Sequence, residues 1–183
     1  MSISPEQASK VLADADCCYT RQQIEQAIDK MAREISDQLS GLNPLLLCVM
    51  TGGLIITGDL LLRLDFPLQY DYIHASRYAG ATRGAELNWI TRPHLSLRDR
   101  HVLIIDDILD EGVTLRELLA YCNQQGVKSA RTAVLVNKLH DRKQLDSADF
   151  IGLTVEDRYV FGYGMDYKGF LRNVPGIYAV KDE

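Results

Sequence analysis

An α/β fold with a doubly wound parallel sheet is the fold class that the sequence predicts. Short apolar runs alternate with helical patterns from Leu45 to Leu139, as in sheets that are covered by helices on both faces. The chain has 183 residues and is 46% hydrophobic, which suits one compact domain. We expect residues 1–183 to form a single domain, with a core at about 42–155 and a small hood from about 1–20 and 156–183.

Two helices are predicted before the first core strand. Ser4 and Pro5 are typical of a helix start. Thr20 and Gln23 match a capping box that opens a second, longer helix, and we expect Gly41 to cap its end. Apolar residues recur along this helix at i, i+4 and i+7, which predicts a core-facing stripe of Ile24, Ile28, Met31, Ile35 and Leu39.

The next part of the chain predicts a strand, a glycine turn and a helix. Leu45–Met50 is an apolar run suited to a central strand, and residues 54–64 suit a helix. Thr51, Gly52 and Gly53 lie between them, where glycines either bring backbone N–H groups to an anion or simply make a tight turn. Further strands are predicted at residues 69–75 and around 86–91.

Residues 76–84 are small, polar and basic and contain two glycines. Such a segment is either a mobile loop or an ordinary hairpin connection. Arg77 and Arg83 stand out in an acidic protein, so we favour a lid over a phosphorylated ligand, beginning with Ser76, Arg77 and Tyr78.

Residues 101–118 are the centre of the functional prediction. An apolar strand at 102–105 leads to an acidic tip, then a short loop containing Gly112, and then a helix whose packed face begins at Leu115. A loop that enters a helix offers unpaired N–H groups to a phosphate. The carboxylates of Asp106, Asp107 and Asp110 would repel a bare phosphate, so they indicate sugar hydroxyls or a hard cation. The ordinary alternative is a crossover with solvated acids.

Lys138 ends a predicted strand at residues 131–139. Such a lysine is often merely solvated, but open α/β sheets bind ligands outside the carboxyl ends of their strands. A further strand is predicted at 150–155, followed by the aromatic and glycine-rich segment 158–164, RYVFGYG.

Composition limits the possible partners. The net charge is −5, which disfavours a general nucleic-acid binder. No apolar run reaches about 18 residues, and the N-terminus lacks a signal-peptide pattern. We therefore expect a cytoplasmic protein that binds neither nucleic acid nor membrane. Its four histidines show no metal-ligand spacing: His74, His94, His101 and His140.

The run VLIIDDILDEGVT resembles the phosphoribosyl-pyrophosphate (PRPP) signature of the type I phosphoribosyltransferases. Lys138, the later YVFGYGMDY and Arg172 are similar to the hypoxanthine–guanine members, and SRYAGATRG to bacterial ones. The order of motifs matches from about Leu45 to Arg172. Two positions depart from the family pattern: Glu111 replaces a usual Thr or Ser, and Thr51 a position that is often basic.

The resemblance implies a role for each part of the PRPP-binding half. Asp106 and Asp107 are expected to hold the ribose hydroxyls, partly through Mg²⁺, and Asp110 to act as general base near purine N7. The 5′-phosphate is expected to bind Asp110, Glu111, Gly112, Val113 and Thr114. Pyrophosphate is expected to contact Thr51, Gly52 and Arg172.

The resemblance also implies a purine site. Lys138 is expected to donate to the 6-oxo group, Tyr159 to stack on the ring, and the Val160 backbone to meet the 2-position. Asp166 is expected beside the purine and as a further metal-linked carboxylate with Asp106 and Asp107.

The implied function is purine salvage, in which PRPP and hypoxanthine or guanine give IMP or GMP plus pyrophosphate. The implied fold is the type I phosphoribosyltransferase fold, and we expect a homodimer or homotetramer. Two alternatives stay open: a xanthine–guanine enzyme, because the 2-position is contacted by backbone, and an RNA-binding regulator on the same fold.

Overall fold

The computed structural model describes residues 3–77 and 87–181. Its helices are α1 (Pro5–Asp14), α2 (Arg21–Leu39), α3 (Leu54–Leu61) and α4 (Val113–Gln124), and a short 3₁₀ helix follows α2 at Ser40–Leu42. Its strands are β1 (Asp16–Tyr19), β2 (Leu45–Met50), β3 (Gln69–Arg77), β4 (Leu87–Thr91), β5 (His101–Leu109), β6 (Ser129–Lys138), β7 (Phe150–Val155), β8 (Val160–Phe161) and β9 (Ile177–Ala179).

A six-stranded sheet forms the centre, in the order β4-β3-β2-β5-β6-β7. All its pairings are parallel except that of β4 with β3, which is antiparallel. A reversal of strand order occurs where β2 and β5 pair, with Leu45 opposite Val102. The predicted doubly wound sheet is therefore confirmed. Ligands bind such sheets at the carboxyl ends of the strands beside this switch point.

Alternating residues of the central strands fill two cores, one on each face of the sheet. Leu46 and Leu103 pack with α2 and α3, whereas Leu47 and Ile104 pack with α4. Because both faces are covered, the central strands contain continuous apolar runs, such as Val102–Ile105 of β5, as the sequence indicates.

The chain ends build the small hood. β1, from the N-terminal part, pairs with β9, and β9 pairs with β8, giving a three-stranded antiparallel sheet. The side chain of Arg158 donates to the Asp16 carboxylate over 2.6 Å, which joins the two ends of the chain. This hood lies outside the main sheet but supplies one wall of the cavity described below.

Both predicted helix starts are confirmed. In α1 the Ser4 hydroxyl accepts from the Gln7 N–H, and in α2 the Thr20 hydroxyl accepts from the Gln23 N–H. The prediction for Gly41 is wrong. The chain continues into the 3₁₀ helix, and the left-handed residue that ends it is Asn43, with φ of 46°.

The other correction concerns β5. The strand does not end at Ile105 but continues to Leu109, with Asp106 opposite Val134 and Ile108 opposite Val136 of β6. The acid pair thus lies within a paired strand instead of in a loop. Pairing with β6 continues through these residues, whereas pairing with β2 ends at Ile105. A paired strand fixes the position of these carboxylates better than a loop would.

No helix among residues 3–77 and 87–181 combines the length and the apolar character that crossing a membrane requires.

We predict that Ile35→Ala lowers the free energy of unfolding by about 2–4 kcal/mol, because Ile35 is fully buried in the core beneath α2. Urea denaturation measures this change. The matched control is Lys30→Ala on the exposed face of α2, which removes only the Lys30–Glu34 pair and should cost at most about 0.5 kcal/mol. Similar losses for both variants would contradict the packing assigned to α2.

Candidate active site

A cavity of 390 Å³ opens at the carboxyl edge of the main sheet. Its walls come from the ends of β2, β5 and β6, from the start of α4, and from the segment around β8. The structure brings together here most of the residues that the sequence singled out: Thr51, Gly52, Asp106, Asp107, Asp110, Thr114, Lys138, Tyr159, Val160, Asp166 and Arg172. Their individual roles stay predictions.

Asp106 and Asp107 form the floor of the cavity and are only 9% and 8% exposed. Burial raises the pKa of both carboxyls, and the neighbouring charge of Asp107 raises that of Asp106 further. The Arg172 guanidinium, 3.9 Å from the Asp107 carboxylate, opposes this rise. Two adjacent buried carboxylates are costly without a partner, so the site is suited to a cation or to hydroxyl donors from a ligand.

Gly52 packs directly against Asp107. A β-carbon at Gly52 would lie 2.0 Å from an Asp107 carboxylate oxygen, so no larger residue fits. Gly164, with φ of 108°, likewise packs on the Gly52 carbonyl. The Met50–Thr51 peptide that leads into this turn is cis. These glycines therefore allow the backbones of the turn after β2, the end of β5 and the segment after β8 to pack closely together.

The predicted phosphate loop connects β5 to α4. Gly112 has φ of 79° and lies so close to Leu145 that a β-carbon would approach the Leu145 β-carbon to 2.7 Å. A second cavity of 190 Å³ lies beside this loop and is lined by Asp110, Gly112 and Thr114 among others. Glu111 and Val113 are not among the residues that line either cavity.

Asp110 is held by two donors. Lys138 Nζ donates to one carboxylate oxygen over 2.9 Å, and His140 Nε2 contacts the other at 2.8 Å. Partial burial alone would raise the pKa of Asp110, but these two contacts outweigh it and hold the pKa below its usual value. Asp110 is 43% exposed, which leaves its carboxylate accessible from the cavity.

Arg172 and Asp166 form a connected pair on the opposite wall. Arg172 donates to the Asp166 carboxylate and to the Gly164 carbonyl, each over 2.5 Å. The Gly169 N–H donates to the other Asp166 oxygen over 2.7 Å. Each Asp166 oxygen thus accepts one donor while Asp166 and Arg172 both line the cavity.

Tyr159 provides an aromatic surface at the mouth of the cavity. Its ring is half-exposed and is braced by an edge-to-face contact with Tyr167, with 5.4 Å between ring centroids. Its hydroxyl donates to the Asp166 carbonyl over 3.3 Å. A flat heterocycle entering here would find both a ring to stack on and the donor of Lys138.

The predicted metal ligands do not make a preformed site. Among residues 3–77 and 87–181, no three His, Cys, Asp or Glu side chains converge as metal ligands would. Asp106 and Asp107 nevertheless offer oxygen ligands to the cavity. This arrangement fits Mg²⁺, which proteins often bind through one or two carboxylates together with substrate oxygens.

One predicted part of the site is described only in part, and one site residue was not predicted. Ser76 and Arg77 lie at the end of β3, and Tyr78 lies outside the described residues, so the lid is not described beyond its first residues. His140 is a site residue that the sequence analysis missed. It lies two residues after Lys138, and in extended chain such a spacing brings both side chains to one face, a signal that could have found it.

We predict that Asp106→Asn raises the free energy of unfolding at neutral pH by about 1 kcal/mol, because it removes one of two adjacent buried charges. The pKa of Asp106 is raised in the folded protein, so its charge destabilises the wild type only above the ordinary carboxyl pKa. The two proteins should therefore have equal unfolding free energies at about pH 3 and differ as pH rises. Urea unfolding at both pH values measures the difference. Asp37→Asn, on the exposed face of α2, is the control, and an equal gain there would contradict the prediction.

Comparisons with known proteins agree with this geometry. The phosphoribosyl transferase domain family matches residues 16–168. The hypoxanthine-guanine-xanthine phosphoribosyltransferase of Tritrichomonas foetus is 34% identical over 165 residues, covering 90% of each chain. The hypoxanthine-guanine phosphoribosyltransferase of Bacillus subtilis is 32% identical over 163 residues, covering 88% of this chain and 91% of that one.

The fold comparison leads to the same family. A hypoxanthine phosphoribosyltransferase from Staphylococcus aureus superposes with a TM-score of 0.87 at 28% identity, covering 92% of this chain and 93% of that one. The resemblance drawn from the acidic motif and the type I fold class are both confirmed. The chain belongs to the phosphoribosyltransferase family.

Proposed function

We propose that this protein is a purine salvage enzyme that transfers the 5-phosphoribosyl group of PRPP to hypoxanthine or guanine, forming IMP or GMP and pyrophosphate. The observation that carries the proposal is the shared cavity of Asp106, Asp107, Asp110 and Lys138. The carboxylates that would bind the sugar and the ammonium group that would bind the base line the same cavity. The named relatives that act on these purines support the choice of substrate.

The chemistry requires two kinds of charge stabilisation. The sugar develops oxocarbenium character as its bond to pyrophosphate breaks, and negative charge grows on the departing pyrophosphate. Arg172 and the backbone N–H groups of the Thr51–Gly52 turn would bind that charge, while the acid pair would face the sugar. Water must be excluded during this step, and residues 76–84 are the segment we assign to that closure.

Lys138 would select the base. Its ammonium group donates to Asp110 in the free protein, and in the complex it would donate to the 6-oxo group of the purine. Adenine has an amino group there, which cannot accept from the ammonium group, and loss of that bond would cost about 1–3 kcal/mol, which is tenfold or more in selectivity. Tyr159 would stack on the ring, and the backbone of Val160 would meet the 2-position.

Asp110 would act as the general base near purine N7. Its pKa is held below the usual carboxyl value, so it is ionised at neutral pH and can accept a proton from the bound base. A weakly basic carboxylate is adequate here because the proton need only be shared while the new glycosidic bond forms.

Mg²⁺ is the cofactor we assign: the carboxylates of Asp106 and Asp107 would hold it, and it would supply positive charge that stabilises the departing pyrophosphate. Asp166, whose two carboxylate oxygens accept from Arg172 and Gly169, would be a further metal-linked carboxylate and would lie beside the purine. We further assign the protein to the cytoplasm. We also assign it a homodimeric or homotetrameric state, which light scattering would test.

Xanthine is a second candidate substrate, since one relative of 34% identity is named for hypoxanthine, guanine and xanthine. Xanthine also carries the 6-oxo group that Lys138 would recognise, and its additional 2-oxo group would meet backbone at Val160. A transfer assay that compares xanthine with hypoxanthine and guanine therefore decides between the two base preferences.

The decisive experiment is a PRPP-dependent assay with hypoxanthine, guanine, xanthine and adenine, with and without Mg²⁺. We expect transfer to 6-oxopurines only, and loss of activity when Mg²⁺ is chelated. In Lys138→Ala we expect the preference over adenine to fall about tenfold or more, because the donor to the 6-oxo group is gone.

Lys128→Ala is the matched control for this assay. Lys128 directly precedes β6 at the end remote from the cavity, and its N–H bond to the Arg100 carbonyl is kept in the variant. We expect its base preference to equal that of the wild type. Unchanged selectivity in Lys138→Ala would refute the assignment of Lys138, and no transfer to any of the four purines would refute the proposed function.

We expect Asp110→Asn to lower kcat by about 100-fold or more while changing PRPP affinity less than about threefold. The amide keeps the shape of the side chain and can still accept from one donor, but it cannot take up the proton. Steady-state kinetics and PRPP titration separate the two effects. Equal losses in kcat and in PRPP binding would mean that Asp110 is a binding group and not the base.

A further inference from the structure

A surface segment covers the predicted phosphate loop. We call residues 139–147, which connect β6 to β7, the strap. The Gln144 N–H donates to the Glu111 carbonyl over 2.7 Å, and Arg116 donates to the Gln144 side chain over 2.6 Å. Leu145 packs against Gly112 at a distance that admits no β-carbon. The strap is therefore fastened to the loop at Glu111 and Gly112, and to α4 at Arg116.

His140 is the strap residue that reaches the candidate active site. Its side chain is only 3% exposed, and its Nε2 lies 2.8 Å from an oxygen of the Asp110 carboxylate. Burial of a polar ring is costly unless both nitrogens are satisfied, and here both are. The second nitrogen, Nδ1, lies 3.2 Å from the backbone N of Arg142.

The partners of the ring assign its tautomer. A backbone N–H can only donate, so Nδ1 must accept and carries no proton. The proton of the neutral ring is then on Nε2, from which it is donated to Asp110. His140 is thus held as a neutral donor, with its orientation set by the backbone of its own strap.

We propose that His140 is a positioning residue that holds one oxygen of Asp110 so that the other faces the incoming purine. The proposal rests on the proposed function. In the free protein Asp110 has two donors, Lys138 and His140. When the ammonium group of Lys138 turns to the 6-oxo group of the base, His140 is the donor that stays. It prevents the half-exposed carboxylate from rotating at the moment when it must accept the proton.

A neutral donor is the right kind of group for this position. A second fixed cation would stabilise the charged carboxylate strongly and make it a poorer proton acceptor. The cations of the strap are directed elsewhere: Arg142 is paired with Asp157 through two bonds of 2.8 and 3.0 Å, and Lys143 donates to the Asn137 side chain. Asp106 and Asp107 face Asp110 from β5 across the same cavity.

Two substitutions of His140 separate donation from packing. His140→Gln places an amide N–H near the position of Nε2, whereas His140→Leu fills the space and cannot donate. We expect His140→Leu to lower kcat about tenfold with KM for PRPP nearly unchanged, and His140→Gln to stay within about threefold of the wild type. The acidic limb of the pH profile of kcat should move to higher pH in His140→Leu, because loss of a donor raises the pKa of Asp110.

Arg142→Gln is the matched control for loosening of the strap. It removes the ion pair with Asp157 but keeps the backbone N–H that orients His140, so kcat and the acidic limb should stay at wild-type values. Thermal unfolding of each variant checks that it is folded. Equal kcat values for His140→Gln and His140→Leu, or an unmoved acidic limb in His140→Leu, would overturn the proposal.

A readout that does not depend on catalysis is the ¹⁵N NMR spectrum of the His140 ring in the ligand-free protein. We expect a protonated Nε2 and an unprotonated Nδ1 at neutral pH, and the opposite tautomer would overturn the role of His140 at once. Absence of transfer activity in the wild type would instead reject the proposed function, and the NMR result would still decide whether His140 donates to Asp110.

Discussion

Parallel pairing of β5 with both β2 and β6 is the constraint on which the rest of the structure depends. Parallel strands end at the same edge of the sheet. This edge therefore brings together the turn after β2, the acids late in β5 and Lys138 at the end of β6. Covering both faces with helices buries this scaffold and leaves the carboxyl edge as the place where polar groups can gather.

That edge holds groups that an apolar core would not tolerate. Asp106 and Asp107 are buried next to each other, and Gly52 and Gly164 allow backbone to approach them closely. Each of these features costs stability in the free protein. They are consistent with a site whose groups are kept ready for a charged ligand, since functional sites commonly hold such unfavourable arrangements and the surrounding core compensates for them.

Asp110 connects the sheet edge with the surface of the molecule. Lys138 reaches it from β6, and His140 reaches it from the strap, which is itself bonded to the phosphate loop through Gln144. The carboxylate is therefore held from two sides, by the ammonium group of Lys138 and by the imidazole ring of His140. This network ties the proposed phosphate, base and proton-transfer functions to one residue.

The sequence by itself determined the alternation of strands and helices and the two helix caps, because periodicity and capping are local properties of the chain. It also indicated the acidic motif and Lys138 as candidate site residues, since both follow predicted strands directly. It could not determine that β5 continues through its acids, since ladder pairing with β6 comes from distant residues. The sequence places His140 two residues after Lys138, but its contacts with Asp110 and Arg142 form only when the strap folds over the loop. The prediction of Gly41 as a cap failed for a related reason: the tertiary course of the chain into β2 moved the left-handed turn to Asn43.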